Sequence, residues 1–142
     1  MNGFLLDTNC LSELVRLQPN PRVLAWARSV DEILLHLSVL TLGEIRKGVT
    51  LLSDGRRRSQ LEHWLEVELP AQYADRLLPI NAEIAEIWGA MAAEAQLRGI
   101  AMPIIDGLIA ATAKHHELTI VTRNVKDFRM WGISVTNPWT SP

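Results

Sequence analysis

Gly3-Phe4-Leu5-Leu6-Asp7-Thr8-Asn9 is the stretch on which the fold turns. Its apolar half is too short for a helix and carries no polar face, so it reads as a strand buried on both sides. Asp7 stands where that strand hands over to a segment of helical pattern. In open α/β folds such a residue points out of the carboxyl edge of the sheet, where ligands and metals collect.

Outward from this stretch, further short apolar runs lie at 33–38, 77–80, 118–122 and 133–136, giving five strands with the one at 4–6. The segments between them have helical period. Val23, Trp26, Ala27 and Val30 recur at i, i+3, i+4, i+7, and Leu61, Trp64, Leu65 and Leu69 continue in that style. Ile84, Ile87, Trp88, Met91, Ala92 and Ala95 mark a longer helix that stops at Gly99, and another runs from about Ile105 to His115 behind Pro103. Strands alternating with helices imply βαβ units and a mostly parallel sheet covered on both faces. Right-handed crossovers bring all strand C-termini to one edge. The Trp and Met side chains fall largely on apolar helical faces and read as core. Trp131 and Trp139 are left either to cap the sheet or to form a partner surface.

The chain has 142 residues, 48% of them hydrophobic, which suits one ordinary domain over residues 1–142 and argues against disorder. No linker, repeat or low-complexity segment divides it. The single cysteine, Cys10, sits in an apolar helical pattern and reads as a small core residue, consistent with a reducing cytosol. No secretory leader is visible and no apolar run reaches the roughly 20 residues that span a bilayer, so the expectation is a cytoplasmic protein without membrane contact. Fourteen Lys and Arg against sixteen Asp and Glu give a formal charge of −2, which excludes a simple electrostatic nucleic-acid binder. The basic triplet Arg56-Arg57-Arg58 reads as a solvated loop or helix start.

Four carboxylates compete for the same edge. Asp7 doubles as a helix cap. Thr41-Leu42-Gly43-Glu44 matches a capping box, with Thr41 as N-cap and Glu44 reaching back to it. Asp106 lies between Ile104-Ile105 and Gly107-Leu108-Ile109-Ala110-Ala111; a helix dipole compensates a buried carboxylate by only about 0.3–1 kcal/mol, so a cation partner is expected there. Asp127 follows Thr122-Arg123-Asn124-Val125-Lys126 just beyond a strand end, as a loop residue, a cap or a site residue. Two unit charges ~4 Å apart repel by about 4 kcal/mol at an effective dielectric near 20. Convergence is therefore tolerable only with protons or cations, and an all-oxygen set suits Mg²⁺, with Mn²⁺ as substitute.

Four blocks together resemble a PIN-domain ribonuclease, specifically a VapC-type toxin of a type II toxin–antitoxin pair. They are Leu5-Leu6-Asp7-Thr8-Asn9, the stretch from Leu40 to Gly48, Asp106-Gly107-Leu108-Ile109-Ala110-Ala111-Thr112-Ala113, and Val121-Thr122-Arg123-Asn124-Val125-Lys126-Asp127-Phe128. Asn137-Pro138-Trp139 resembles the FitB-like branch. The resemblance implies a three-layer α/β/α sandwich with a five-stranded parallel sheet and Mg²⁺ in an acidic pocket. Asp7, Glu44 and Asp106 match the family's first three acidic positions. At the fourth, many relatives carry Asp where this chain has Asn124, and Asp127 follows three residues later. Thr8, Asn9 and Thr122 would support the carboxylates. The resemblance further implies RNA as substrate, a small cognate antitoxin that blocks the pocket, DNA contacted only through that antitoxin, and a homodimer.

Two other classes compete. A phosphatase of the haloacid-dehalogenase type would use Asp7 as nucleophile, but it wants a second Asp where Asn9 stands. A catalytically silent module would act only in a complex with a DNA-binding antitoxin. The His115-His116 pair reads as a surface pair at a helix end, not a metal site, because adjacent helical residues face apart.

Overall fold

A computed structural model of the chain describes residues 3–140. Five strands form one sheet: β1 (Phe4–Leu6), β2 (Leu35–Ser38), β3 (Leu77–Leu78), β4 (Thr119–Val121) and β5 (Val135–Thr136). Their order across the sheet is β3-β2-β1-β4-β5 and every pairing is parallel. Each strand is placed as predicted, but four are trimmed at their ends. Residues 32–34, for example, form a 3-10 turn capped by Asp31 ahead of β2.

The helices follow the strands. After β1 come α1 (Thr8–Leu14) and α2 (Pro21–Ser29); after β2 come α3 (Val39–Thr50), α4 (Arg56–His63) and α5 (Leu69–Gln72). The long helix α6 (Ala82–Leu97) and α7 (Ile104–His116) lead from β3 to β4, and α8 (Val125–Met130) leads to β5. Between α4 and α5 the chain widens into a π turn at Trp64–Glu68. Pro70 supplies the cause: it has no N–H to give to the preceding turn, so the ladder resets around it.

Alternation in β1 divides the core. Phe4 and Leu6 pack with Cys10, Leu11, Val23, Ile45 and Leu65 from the first helices, whereas Leu5 packs with Ile84, Ile109, Ala110 and Phe128 from α6, α7 and α8. The result is the expected α/β/α sandwich. Connections leave β1 toward β2 on one side and return to β4 on the other, so the strand order reverses between β1 and β4. That reversal opens a crevice at the carboxyl ends of these two strands, the place where such sheets bind ligands.

Candidate metal centre

Asp7 stands at the mouth of this crevice. Its N–H continues the ladder to Val121 O at 3.0 Å, and its carboxylate caps α1 by accepting from Thr8 N at 2.9 Å. Thr122, the first residue after β4, donates its hydroxyl to Asp7 Oδ2 at 2.7 Å. That hydroxyl in turn accepts from Asn124 N at 2.9 Å and from Asn9 Nδ2 at 3.2 Å. Asn9 Nδ2 also reaches Asp7 Oδ2 at 3.3 Å, and Asn9 Oδ1 accepts from Arg123 N at 3.3 Å. Neutral donors thus fix a carboxylate that is only 5% exposed. Burial raises its pKa; the Thr122 and Thr8 bonds oppose the rise and the charge of Glu44 adds to it.

Glu44 does not close a capping box. Ser38, at the end of β2, caps α3 by accepting from Leu40 N at 3.1 Å, so the helix starts two residues before Thr41. Thr41 is then a fully buried residue of the first turn, and Glu44 lies half-buried inside the helix. The hydroxyl of Thr8 donates to Glu44 Oε1 at 2.5 Å and lies 3.2 Å from Thr41 Oγ1. This hydroxyl ties α1 to α3 and holds Glu44 on the Asp7 side of the sheet edge.

Asp106 is the third residue of α7, whose N-cap is Pro103. It is half-buried, not deeply buried, and among the described residues no Lys, Arg or His forms a salt bridge with Asp7, Glu44, Asp106 or Asp127. Its pKa is raised from 3.8 to about 6, by burial first, then by the negative charges of Asp7, Glu44 and Asp127. Four carboxylates from four separate chain segments therefore act on one another. Asp127 lies in the first turn of α8, whereas Asn124 sits at its N-cap without a side-chain capping bond. As placed, no three His, Cys, Asp or Glu side chains among the described residues stand close enough to hold an ion between them.

The raised value has a measurable consequence. The folded state keeps the Asp106 proton to about pH 6, while the unfolded chain releases it near 3.8. Stability contributed by the protonated form is then lost as pH rises between these values, and the cost is fully present above them. Urea denaturation in a chelator should show a fall on the order of 1 kcal/mol between about pH 4 and pH 7, after allowing for solvent screening. Asp106→Asn should flatten that fall, with the remainder coming from Asp7.

Several other readings resolve here. Cys10 is fully buried with its thiol pushed up to about 12, as a core residue should be. In the basic triplet, which opens α4, Arg57 donates to Val15 O at 2.7 Å and Arg58 pairs with Asp54 and Glu62. The rings of His115 and His116 do not face apart; they meet in a T-shaped contact with centroids 4.8 Å apart. Burial, helped by His115 and His36, lowers the His116 pKa. Trp131 packs edge-on against Phe128 at 5.3 Å within the second core cluster.

The geometry is matched by likeness to known proteins. The PIN domain family covers residues 4–130. The chain is 41% identical to Toxin FitB of Neisseria gonorrhoeae over 135 residues, which span 95% of this chain and 97% of that protein. It is 35% identical to VapC ribonuclease Y4jK of Sinorhizobium fredii, over 95% of this chain and 96% of that one. A solved structure of FitAB bound to an IR36 DNA fragment superposes with a TM-score of 0.91 at 38% identity, covering 98% of this chain and 97% of that chain.

Proposed function

The chain belongs to the PIN-domain family, among relatives of the FitB and VapC type, and on that premise we propose that it is a metal-dependent endoribonuclease serving as the toxin of a type II toxin–antitoxin pair. One observation carries the reading: Asp7, buried at the strand-order reversal, is oriented by neutral donors and repelled by neighbouring carboxylates, and among the described residues no salt bridge offsets them. Such an arrangement is stabilised by a divalent ion. The donor set fits Mg²⁺, with Mn²⁺ as substitute, because it is all oxygen and negatively charged. Mg²⁺ keeps several waters and takes one or two carboxylates directly, so a set that is not closed in advance suffices.

Asp7 and Asp106 would hold the ion and Glu44 would complete its shell. When bound, the ion supplies charge stabilisation at a phosphate and acidifies water. Glu44 Oε1 is occupied by Thr8, which leaves Oε2 either to complete that shell or, in its place, to orient the attacking water and accept its proton. Thr122 and Asn9 keep Asp7 in register while the RNA phosphodiester bond is hydrolysed. Asp127, whose charge reaches Asp106, fills the fourth acidic position; Asn124 adds only a neutral oxygen.

Beside Glu44 lies a cavity of about 240 Å³ lined by Val15, Ile45, Val49, Leu52, Leu61 and Trp64. An apolar segment of a small antitoxin fits there and would shield the acidic edge, with DNA reached only through that partner. A cytoplasmic homodimer completes the proposal; no helix among the described residues is long and apolar enough to cross a membrane. The test is cleavage of labelled cellular RNA by the partner-free protein. Cutting in Mg²⁺ that stops in EDTA is expected. An intact RNA pool in Mg²⁺ would favour the catalytically silent module instead.

A further inference from the structure

Asn137-Pro138-Trp139 takes no part in the site as described, yet it meets the site through one cation. Arg123 follows Thr122, and its N–H is bonded to Asn9 Oδ1 at 3.3 Å, so its backbone belongs to the network that fixes Asp7. Its side chain forms no salt bridge among the described residues. Its guanidinium lies instead over the ring of Trp139, 4.5 Å from the centroid.

Trp139 is built to hold it there. The indole packs against the first core cluster, the preceding Pro138 is buried, and the Trp139 backbone N–H is clamped to Asn137 Oδ1 at 3.0 Å. The indole Nε1 is buried without a hydrogen-bond partner, so no polar anchor of its own sets the ring. Packing, the backbone clamp and the cation stack fix its place. One face of the guanidinium is taken by the ring, while Arg123 as a residue remains exposed. A free face and free N–H edges present a planar fork to solvent, matched to phosphate oxygens.

We propose that Arg123 is the residue that grips an RNA backbone phosphate beside the scissile bond, and that Trp139 is a positioning residue acting through it. The stack keeps the positive charge at the rim. Without it no other side-chain contact among the described residues fixes the guanidinium, and the strand is left ungripped. This inference rests on the ribonuclease reading above, and it adds a role for the C-terminal tripeptide that the acidic residues do not supply.

The test is fluorescence anisotropy of the full chain with a labelled single-stranded RNA of mixed sequence, in EDTA, over a series of salt concentrations. Arg123→Ala should weaken binding about five- to tenfold and reduce the slope of log affinity against log salt by about 0.7, the share of one phosphate contact on a single strand. Trp139→Leu should weaken it comparably, and Trp139→Phe, which keeps an aromatic face, should stay within about twofold of the parent. The double variant Arg123→Ala/Trp139→Leu should bind no worse than Arg123→Ala alone, because the two losses are one loss. In Mg²⁺, Arg123→Ala should raise KM for RNA with little change in kcat. Should Arg123→Ala match the parent in affinity and salt slope while the parent itself binds RNA, the inference is overturned and the ribonuclease reading stands. A parent that neither binds nor cuts RNA overturns both. Additive losses in the double variant would reduce Trp139 to a packing residue and overturn its positioning role.

Discussion

Asp106→Asn should lower RNA cleavage about a thousandfold or more while leaving the folded state at least as stable as the parent. Asp106 accepts no side-chain hydrogen bond among the described residues, and its raised pKa of about 6 comes from burial and from Asp7, Glu44 and Asp127. An amide there removes repulsion and breaks nothing. Asp7→Asn should lose cleavage equally but with a different cost in stability. Its Oδ1 can still accept from Thr8 N and keep the cap on α1. The new amide, however, faces Thr122 Oγ1, which already accepts from Asn124 N and Asn9 Nδ2, so the hydroxyl loses its acceptor. That loss, about 1 kcal/mol, roughly offsets the relief of an uncompensated buried charge. Cleavage of a labelled RNA in Mg²⁺ and thermal melts of each variant check both halves. Parent-like cleavage by the Asp106 variant would remove that residue from the site.

The largest effect on folding should come from Gly3→Ala, with a loss of about 3 kcal/mol or more. Gly3 has φ +118°, a conformation that L side chains rarely adopt, and an added Cβ would lie 2.5 Å from Leu34 O. The obstacle is backbone ahead of β2, so it cannot rotate away. Gly3 O also accepts from Thr119 N at 3.1 Å, which means that any shift disturbs the β1–β4 pairing on which Asp7 and Thr122 depend. Gly89→Ala in α6 is the control: nothing lies within 4 Å of its added Cβ, and alanine is the better helix former by about 1 kcal/mol. Equilibrium unfolding should therefore separate two identical changes of chemistry by sign.

These residues also mark what could be read without coordinates. β1 and Asp7 were legible because a strand buried on both faces leaves no polar alternative, and a carboxylate at its end stands out. Gly3 was not. Its need for glycine comes from Leu34, thirty-one positions away, and nothing near it in the chain signals the clash. The Thr41–Glu44 pattern misled because a capping box is local, whereas the helix start was decided by Ser38 at the strand end. With the start moved back, Glu44 was free to answer Thr8, a partner 36 residues distant. Apolar neighbours in sequence made Asp106 read as deeply buried, but at the start of α7 the side chain is only half-buried. Asn9 and Thr122 were recognisable as supports only through resemblance; Thr122 meets Asn9 and Asp7 across 113 and 115 residues of chain. The Arg123 stack on Trp139 joins a strand end to the last residues of the chain and left no mark in either segment.

Convergence of Asp7, Glu44 and Asp106 around a divalent ion is tested most directly by Mn²⁺ binding, followed by electron paramagnetic resonance near pH 6 with the released protons measured alongside. The parent should bind with proton release, because an Asp106 whose pKa is raised to about 6 must give up its proton to the ion, and Asp106→Asn should bind at least tenfold more weakly and release fewer protons per ion bound. Equal Mn²⁺ affinity in parent and variant, or no binding by the parent at millimolar concentration, would contradict a metal centre at this edge of the sheet.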